Sequence, residues 1–193
     1  MTTVLFVPGF REDKKSRNYT AMIDAIEKAG YNVVFADIKW KRTTIKDWTA
    51  QLDLIYKEYN PNDTILAGFS FGAMTVFTVA AKQNPSELWL FSLSPYFKED
   101  IESDDMQDVW LKNIGKNRTT AFSELHFSKM AKSIRCKTLI FVGQMELDMW
   151  PDMKNRTNEA KRIIENSHLS IIADTGHDVA DSKYIDALVN VLS

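Results

Sequence analysis

A single cysteine, Cys136, occurs in the 193 residues, so no disulfide can form within them. That fits a reducing compartment. Cys136 stands between Arg135 and Lys137, ahead of an apolar run. Cationic neighbours would favour its thiolate, while a strand-edge residue without a role is the plainer reading. Histidine is also scarce, with only His126, His168 and His177. Three dispersed histidines and one cysteine do not make the clustered ligand set of a metal hydrolase, and neither a metal nor another cofactor is expected. No Gly-Lys-Ser or Gly-Lys-Thr occurs, which excludes that type of phosphate-binding loop. Residues 9–17, after the first apolar run, hold only one glycine, where a dinucleotide-binding fold wants a glycine-rich turn. Neither sign of charge dominates. Lys and Arg total 24 and Asp and Glu 26, and the net charge of -2 gives no general attraction for nucleic acid or an anionic membrane. The densest basic stretch, with Arg11, Lys14, Lys15 and Arg17, is interrupted by Glu12 and Asp13 and reads as a solvated loop. Long apolar runs are lacking too. Thr3-Val4-Leu5-Phe6-Val7 ends at Pro8-Gly9, too short and without the basic lead of a secretory signal, and the longest runs fall short of a membrane span. The expectation is a cytoplasmic protein whose partner is a small molecule. Nothing in the sequence selects an oligomeric state.

Hydrophobic residues make up 45% and charged residues 26%, an ordinary globular balance, and a chain of this length can bury a large core as one domain spanning 1–193. Short apolar runs recur at fairly even intervals: Val4-Leu5-Phe6-Val7, Val33-Val34-Phe35-Ala36, Thr64-Ile65-Leu66-Ala67, Leu88-Trp89-Leu90-Phe91, Thr138-Leu139-Ile140-Phe141-Val142 and Leu169-Ser170-Ile171-Ile172-Ala173. Most are continuous and rich in β-branched or aromatic residues, as strands covered on both faces are. Helical spacing lies between them. Tyr19, Met22, Ile23, Ile26 and Ala29 recur at three and four, with Gly30 as a stop, and Trp48, Leu52, Ile55 and Tyr59 repeat the pattern before Asn60-Pro61. Further helices are expected around 121–133, 153–166 and 181–192. Such alternation predicts an α/β fold: three layers, with helices on both faces of a mostly parallel sheet. The segment 93–120, from Ser94-Pro95 through an acidic stretch to Trp110, breaks the rhythm and reads as a short cap-like excursion over the sheet's C-terminal edge or as a plain surface loop.

The strongest local signal is Gly68-Phe69-Ser70-Phe71-Gly72, between the predicted strand 64–67 and a helical stretch from Ala73 to Lys82. Strand, tight turn and helix are the setting of a nucleophile elbow. The turn leaves no room for side chains beside the serine, which is thrust above the sheet at the positive end of the next helix. A serine hydroxyl is a weak nucleophile and needs a base. His177, in Asp174-Thr175-Gly176-His177-Asp178, follows the last predicted strand and opens on the same sheet edge as Ser70. His126 falls in a predicted helix and His168 precedes the last strand, at its opposite end. The base in turn needs an acid to orient it. Glu146 and Asp148 both follow the strand 138–142, in a loop beginning at Gly143. Glu146, three residues past Gly143, is favoured and Asp148 is the runner-up. An oxyanion would be held by the backbone N–H of Phe71 and by that of Phe10, in the Pro8-Gly9-Phe10 loop after the first strand.

Taken together, these residues resemble the α/β-hydrolase superfamily, in which nucleophile, acid and histidine follow in the order of Ser70, Glu146 or Asp148, and His177. The match runs from Pro8-Gly9-Phe10 to the terminal helix. Trp40 and Asp47-Trp48 are weakly similar to the tryptophan-containing second crossover of small, nearly lidless members related to the retinoblastoma-binding serine hydrolase group. The resemblance implies a core of about six parallel strands without the superfamily's first hairpin. It implies a serine hydrolase acting on an ester or thioester through an acyl-enzyme. Phe10, Phe69, Phe71 and Trp150, near the expected site, suggest a small apolar acyl group. The rival reading is a binding or interaction protein on the same fold, with little or no activity.

Overall fold

A computed structural model describes residues 1–16, 19–102, 112 and 114–192. Six strands form one sheet: β1 Thr3–Val7, β2 Asn32–Phe35, β3 Thr64–Phe69, β4 Glu87–Phe91, β5 Lys137–Gly143 and β6 Ser167–Ile172. Their order is β2-β1-β3-β4-β5-β6 and every pairing is parallel. The fold class expected from the alternation is thus the one observed. Parallel strands need covered crossovers, and the helices supply the cover. They are α1 Tyr19–Lys28, α2 Ile45–Tyr56, α3 Phe71–Gln83, α4 Lys98–Ile101, α5 Lys116–Phe122, α6 Phe127–Ala131, α7 Gln144–Met149, α8 Pro151–Ile163 and α9 Ser182–Leu192.

Strand periodicity sends alternate side chains to two cores. Val4 and Phe6 of β1 join Ile65, Ala67 and Phe69 of β3 against Tyr19, Met22 and Ile26 of α1 and Tyr184 and Leu188 of α9. Leu5, Val7 and Leu66 face the other way, against Trp48 and Leu52 of α2 and Met74 and Phe77 of α3. The central strands are buried on both faces, as continuous apolar runs predict. The edge strands β2 and β6 are only partly covered, and Ile171 remains about half exposed. Successive strands are added to one side of β1 and then, from β3 onward, to the other, so the loops after β1 and β3 diverge and leave a crevice at their carboxyl ends.

Several expectations need correction. The helix expected over 121–133 is split into α5 and α6. The break comes at Ser123 to His126, where Leu125 O accepts from Lys98 N and the Glu99 carboxylate takes the first N–H groups of α6, those of Phe127 and Ser128. A side chain from a distant segment thus starts a new helix. His126 is consequently the exposed, extended residue before α6, not a helical one. The stretch after β5, expected as a loop, is helix α7, and Pro151 at the first position of α8 opens the next helix two residues early. His168 lies inside β6, paired in register with Leu139, instead of preceding the strand. Arg17, Trp110 and most of the acidic part of 93–120 lie outside the described residues.

Candidate active site

Ser70 sits between β3 and α3 with φ 56° and ψ -119°, a conformation that costs a non-glycine residue on the order of 1–3 kcal/mol. Its N–H is held by Phe91 O at 2.9 Å and its carbonyl accepts from Met74 N at 3.2 Å. The flanking glycines show why the turn is possible. A Cβ at Gly68 would run into the backbone of Gly72, and one at Gly72 would run into the carbonyls of Val7 and Pro8. The close packing of α3's first turn on the end of β1 therefore requires glycine there.

His177 reaches this serine from the loop after β6. Its Nε2 lies 3.0 Å from Ser70 Oγ and its Nδ1 lies 2.5 Å from Glu146 Oε1. The imidazole is gripped by rings. Phe69 lies 4.7 Å away in a tilted arrangement and Trp150 stands edge-on at 5.8 Å. The Glu146 side chain is fully buried, while that of His177 keeps a quarter of its surface exposed. The acid loop and the base loop meet at Gly143, where a Cβ would strike the carbonyl of Thr175, and Met145 N donates to that carbonyl at 3.0 Å.

Of the two candidate carboxylates, the structure brings only Glu146 to His177. Because 144–149 is helical, Glu146 occupies the third position of α7, and its Oε2 accepts from Gly143 N at 2.8 Å. That same capping contact turns the carboxylate back over the sheet edge. Asp148 is exposed and accepts from Gln144 Nε2 at 2.7 Å, one turn away on the solvent side.

Sequence reasoning missed what holds Glu146 from behind. Ser92, fully buried just past β4 with φ 50°, donates from Oγ to Glu146 Oε2 at 2.7 Å and contacts Tyr184 OH at 2.5 Å. Burial and the neighbouring carboxylate push the Tyr184 phenol well above its ordinary range, so it stays a proton donor, with Phe141 O as an acceptor at 3.2 Å. The only signal in the sequence was Ser92 at the end of a strand, a common pairing.

The loop after β1 is tied down by Tyr19. Gly9 N donates to Tyr19 OH at 3.0 Å, and that hydroxyl donates to the Glu12 carboxylate. Among the described residues, the N–H groups of Phe10 and Phe71 have no such partner. The Phe10 ring packs between Trp40, Trp48 and Phe71 at 5.8, 5.6 and 5.3 Å.

A cleft of about 780 Å³ opens over Ser70 and His177, with walls that include Phe10, Phe71, Tyr96, Ile114, Trp150 and Met153. Phe69 does not line it; its ring belongs to the core under His177. Burial raises the Tyr96 phenol to about 12, so it too remains protonated. Cys136 lies away from the cleft, and burial lifts its thiol to about 11. The thiolate that cationic neighbours would have favoured is therefore not formed at neutral pH. Among the described residues, no group of three His, Cys, Asp or Glu side chains stands where it could hold a metal, and no helix is long and apolar enough to cross a membrane.

No protein-family model matches the sequence, and a search of curated proteins finds no similar one. Solved structures do match. Est1E from Butyrivibrio proteoclasticus is 14% identical with a TM-score of 0.78, over 99% of this chain and 85% of that one. A structure reported among carboxylesterases of the thaumarchaeon Nitrososphaera gargenis is 14% identical with a TM-score of 0.73, over 99% and 89%. The thioesterase domain from the curacin biosynthetic pathway is 16% identical with a TM-score of 0.71, over 99% and 90%. At such identities the likeness establishes the fold, which is that of the α/β-hydrolases.

Proposed function

We propose that this chain is a serine hydrolase that cleaves an ester or thioester of a small apolar acyl group through an acyl-enzyme. The observation that carries the reading is the unbroken hydrogen-bonded line from Ser70 Oγ through His177 to the buried Glu146, at 3.0 and 2.5 Å, beneath a mainly apolar cleft. Similarity in fold to carboxylesterases and to a thioesterase domain supports it. In this reading Ser70 Oγ attacks the acyl carbon while its proton passes to His177 Nε2, and the carbonyl electron pair moves onto oxygen. The N–H groups of Phe10 and Phe71 receive that oxyanion, the latter at the positive end of α3. Glu146 holds the imidazole in the tautomer that accepts at Nε2 and stabilises the imidazolium. The imidazolium then protonates the departing alcohol or thiol. Water repeats the sequence and frees the acid.

The chemistry needs no cofactor. We read residues 1–193 as one domain, and the lone cysteine supports a cytoplasmic setting. Kinship with the retinoblastoma-binding serine hydrolase group rests on Trp40 and Trp48, which pack at 4.8 Å beside Phe10 at the cleft wall. The test is a panel of aryl esters and thioesters of increasing acyl length, with Ser70→Ala as control. Wild type should turn over members of the panel, and the variant should lose on the order of 10⁶ in kcat while keeping its fold. Equal turnover by the two would remove Ser70 as the nucleophile, and none by wild type on any member would point instead to a binding protein.

A further inference from the structure

Ser94 stands three residues past the end of β4, at the foot of the cleft, and is 4% exposed. Its Oγ lies 3.2 Å from Ser70 Oγ. The nucleophile thus has two polar neighbours, His177 on one side and a second hydroxyl on the other. The proton count fixes the direction of the second contact. The Ser70 hydroxyl has one proton, and in the reactive arrangement it is given to His177 Nε2. Ser94 must then be the donor and Ser70 Oγ the acceptor.

We propose that Ser94 is a catalytic residue: its hydroxyl donates to Ser70 Oγ and stabilises the charge that this oxygen carries as its proton leaves. The proposal rests on the serine-hydrolase reading above. During attack the Ser70 O–H bond breaks, an N–H bond forms at His177 Nε2, an O–C bond forms to the acyl carbon, and the carbonyl pair moves to oxygen. Ser94 keeps its own proton throughout. Ser70 Oγ uses one lone pair to attack and offers the other to Ser94. A hydrogen bond to an oxygen gaining negative charge strengthens as the charge grows, so it favours the transition state over the resting enzyme. The same donor serves deacylation, where Ser70 Oγ is the group expelled and again carries charge before His177 returns its proton. Two fixed partners also hold the Ser70 hydroxyl in one orientation, which matters because the residue's backbone is already strained into place.

A purely structural Ser94 would affect folding, whereas this role affects the reactivity of one oxygen. The test compares wild type with Ser94→Ala, and with Ser94→Cys, which keeps the volume but offers only a weak donor. Three quantities are measured: the second-order rate of Ser70 labelling by a fluorophosphonate, which reports attack without deacylation; kcat/KM on an aryl ester; and Tm. Labelling and kcat/KM should both fall by about tenfold or more in the alanine variant, the effect of a hydrogen bond to a charged group. The cysteine variant should be impaired in the same sense, and Tm should stay near that of wild type in both. Ser94→Thr, which restores the hydroxyl, should recover rate. Variants that label and turn over as fast as wild type, or that lose rate only in proportion to lost folded protein, would overturn the role of Ser94 and leave the hydrolase reading standing. A folded wild type that neither labels nor hydrolyses would overturn both.

Discussion

Replacing Glu146 by Gln changes one atom of a buried carboxylate that meets three hydrogen-bond partners. Its Oε1 faces His177 Nδ1 at 2.5 Å, and its Oε2 faces two donors, Gly143 N at 2.8 Å and Ser92 Oγ at 2.7 Å. An amide offers one acceptor and one donor. If its NH₂ faces His177, Nδ1 must accept, the imidazole proton moves to Nε2, and the ring can no longer take the Ser70 proton. If its NH₂ faces the other way, it meets the N–H of Gly143, and a buried donor loses its acceptor at a cost of about 1–3 kcal/mol. In either orientation the imidazolium loses a buried counter-charge. A loss of about 10⁴ in kcat is expected, the effect of the corresponding change in other enzymes with this arrangement. Asp148→Asn is the internal control. Its side chain is exposed and, among the described residues, is bonded only along its own helix to Gln144, a contact of a kind that contributes about 0.2–0.5 kcal/mol. Both variants are assayed by initial rates on one aryl ester, with Tm recorded alongside. A crippled Asp148→Asn beside an active Glu146→Gln would refute the assignment of the acid, and two mild variants would remove the carboxylate from the mechanism.

His177→Ala should abolish ester turnover without loss of fold. An active His177→Ala beside an inactive His126→Ala or His168→Ala would contradict the assignment of the base. Gly72→Ala places a methyl against the carbonyls of Val7 and Pro8, backbone atoms that cannot move without shifting β1. It should yield little soluble protein or a markedly lowered Tm, and a soluble, fully active variant would show that the turn has more room than the structure gives it. Arg156, 3% exposed, is paired with Asp100 and Glu159 at 2.5 Å each and lies 4.0 Å over the Phe127 ring. Arg156→Met removes the cation that faces the buried Asp100 carboxylate, a loss of about 3–5 kcal/mol. Tm should fall on the order of 10 °C, and an unchanged melting curve would refute the pairing's weight.

The sheet was legible because its central strands are buried on both faces and so print as unbroken apolar runs. Ser70 and His177 were legible because each stands directly after such a run, and parallel strands bring all their carboxyl ends to one edge. Glu146 was only half legible. Its separation from Asp148 depends on whether 144–149 is helical, and six residues carry too little periodicity to show that. What decides it is tertiary, since Gly143 must have no side chain where it meets Thr175. Ser92, Ser94 and Tyr184 were not legible at all. Serine at a strand end and tyrosine in a terminal helix are ordinary, and their roles arise only when β4, α7 and α9 converge on the same carboxylate and nucleophile. The split between α5 and α6 was hidden for a similar reason. The Glu99 carboxylate that caps α6 lies 28 residues away in sequence from Phe127.

The central claim is that Ser70 is an activated nucleophile. Incubation of the intact protein with a fluorophosphonate, followed by whole-protein mass and peptide mapping, tests it most directly. The account predicts a single adduct, mapped to Ser70, absent from Ser70→Ala and suppressed in His177→Ala. No adduct on folded wild-type protein, or an adduct on another residue that persists in Ser70→Ala, would contradict it.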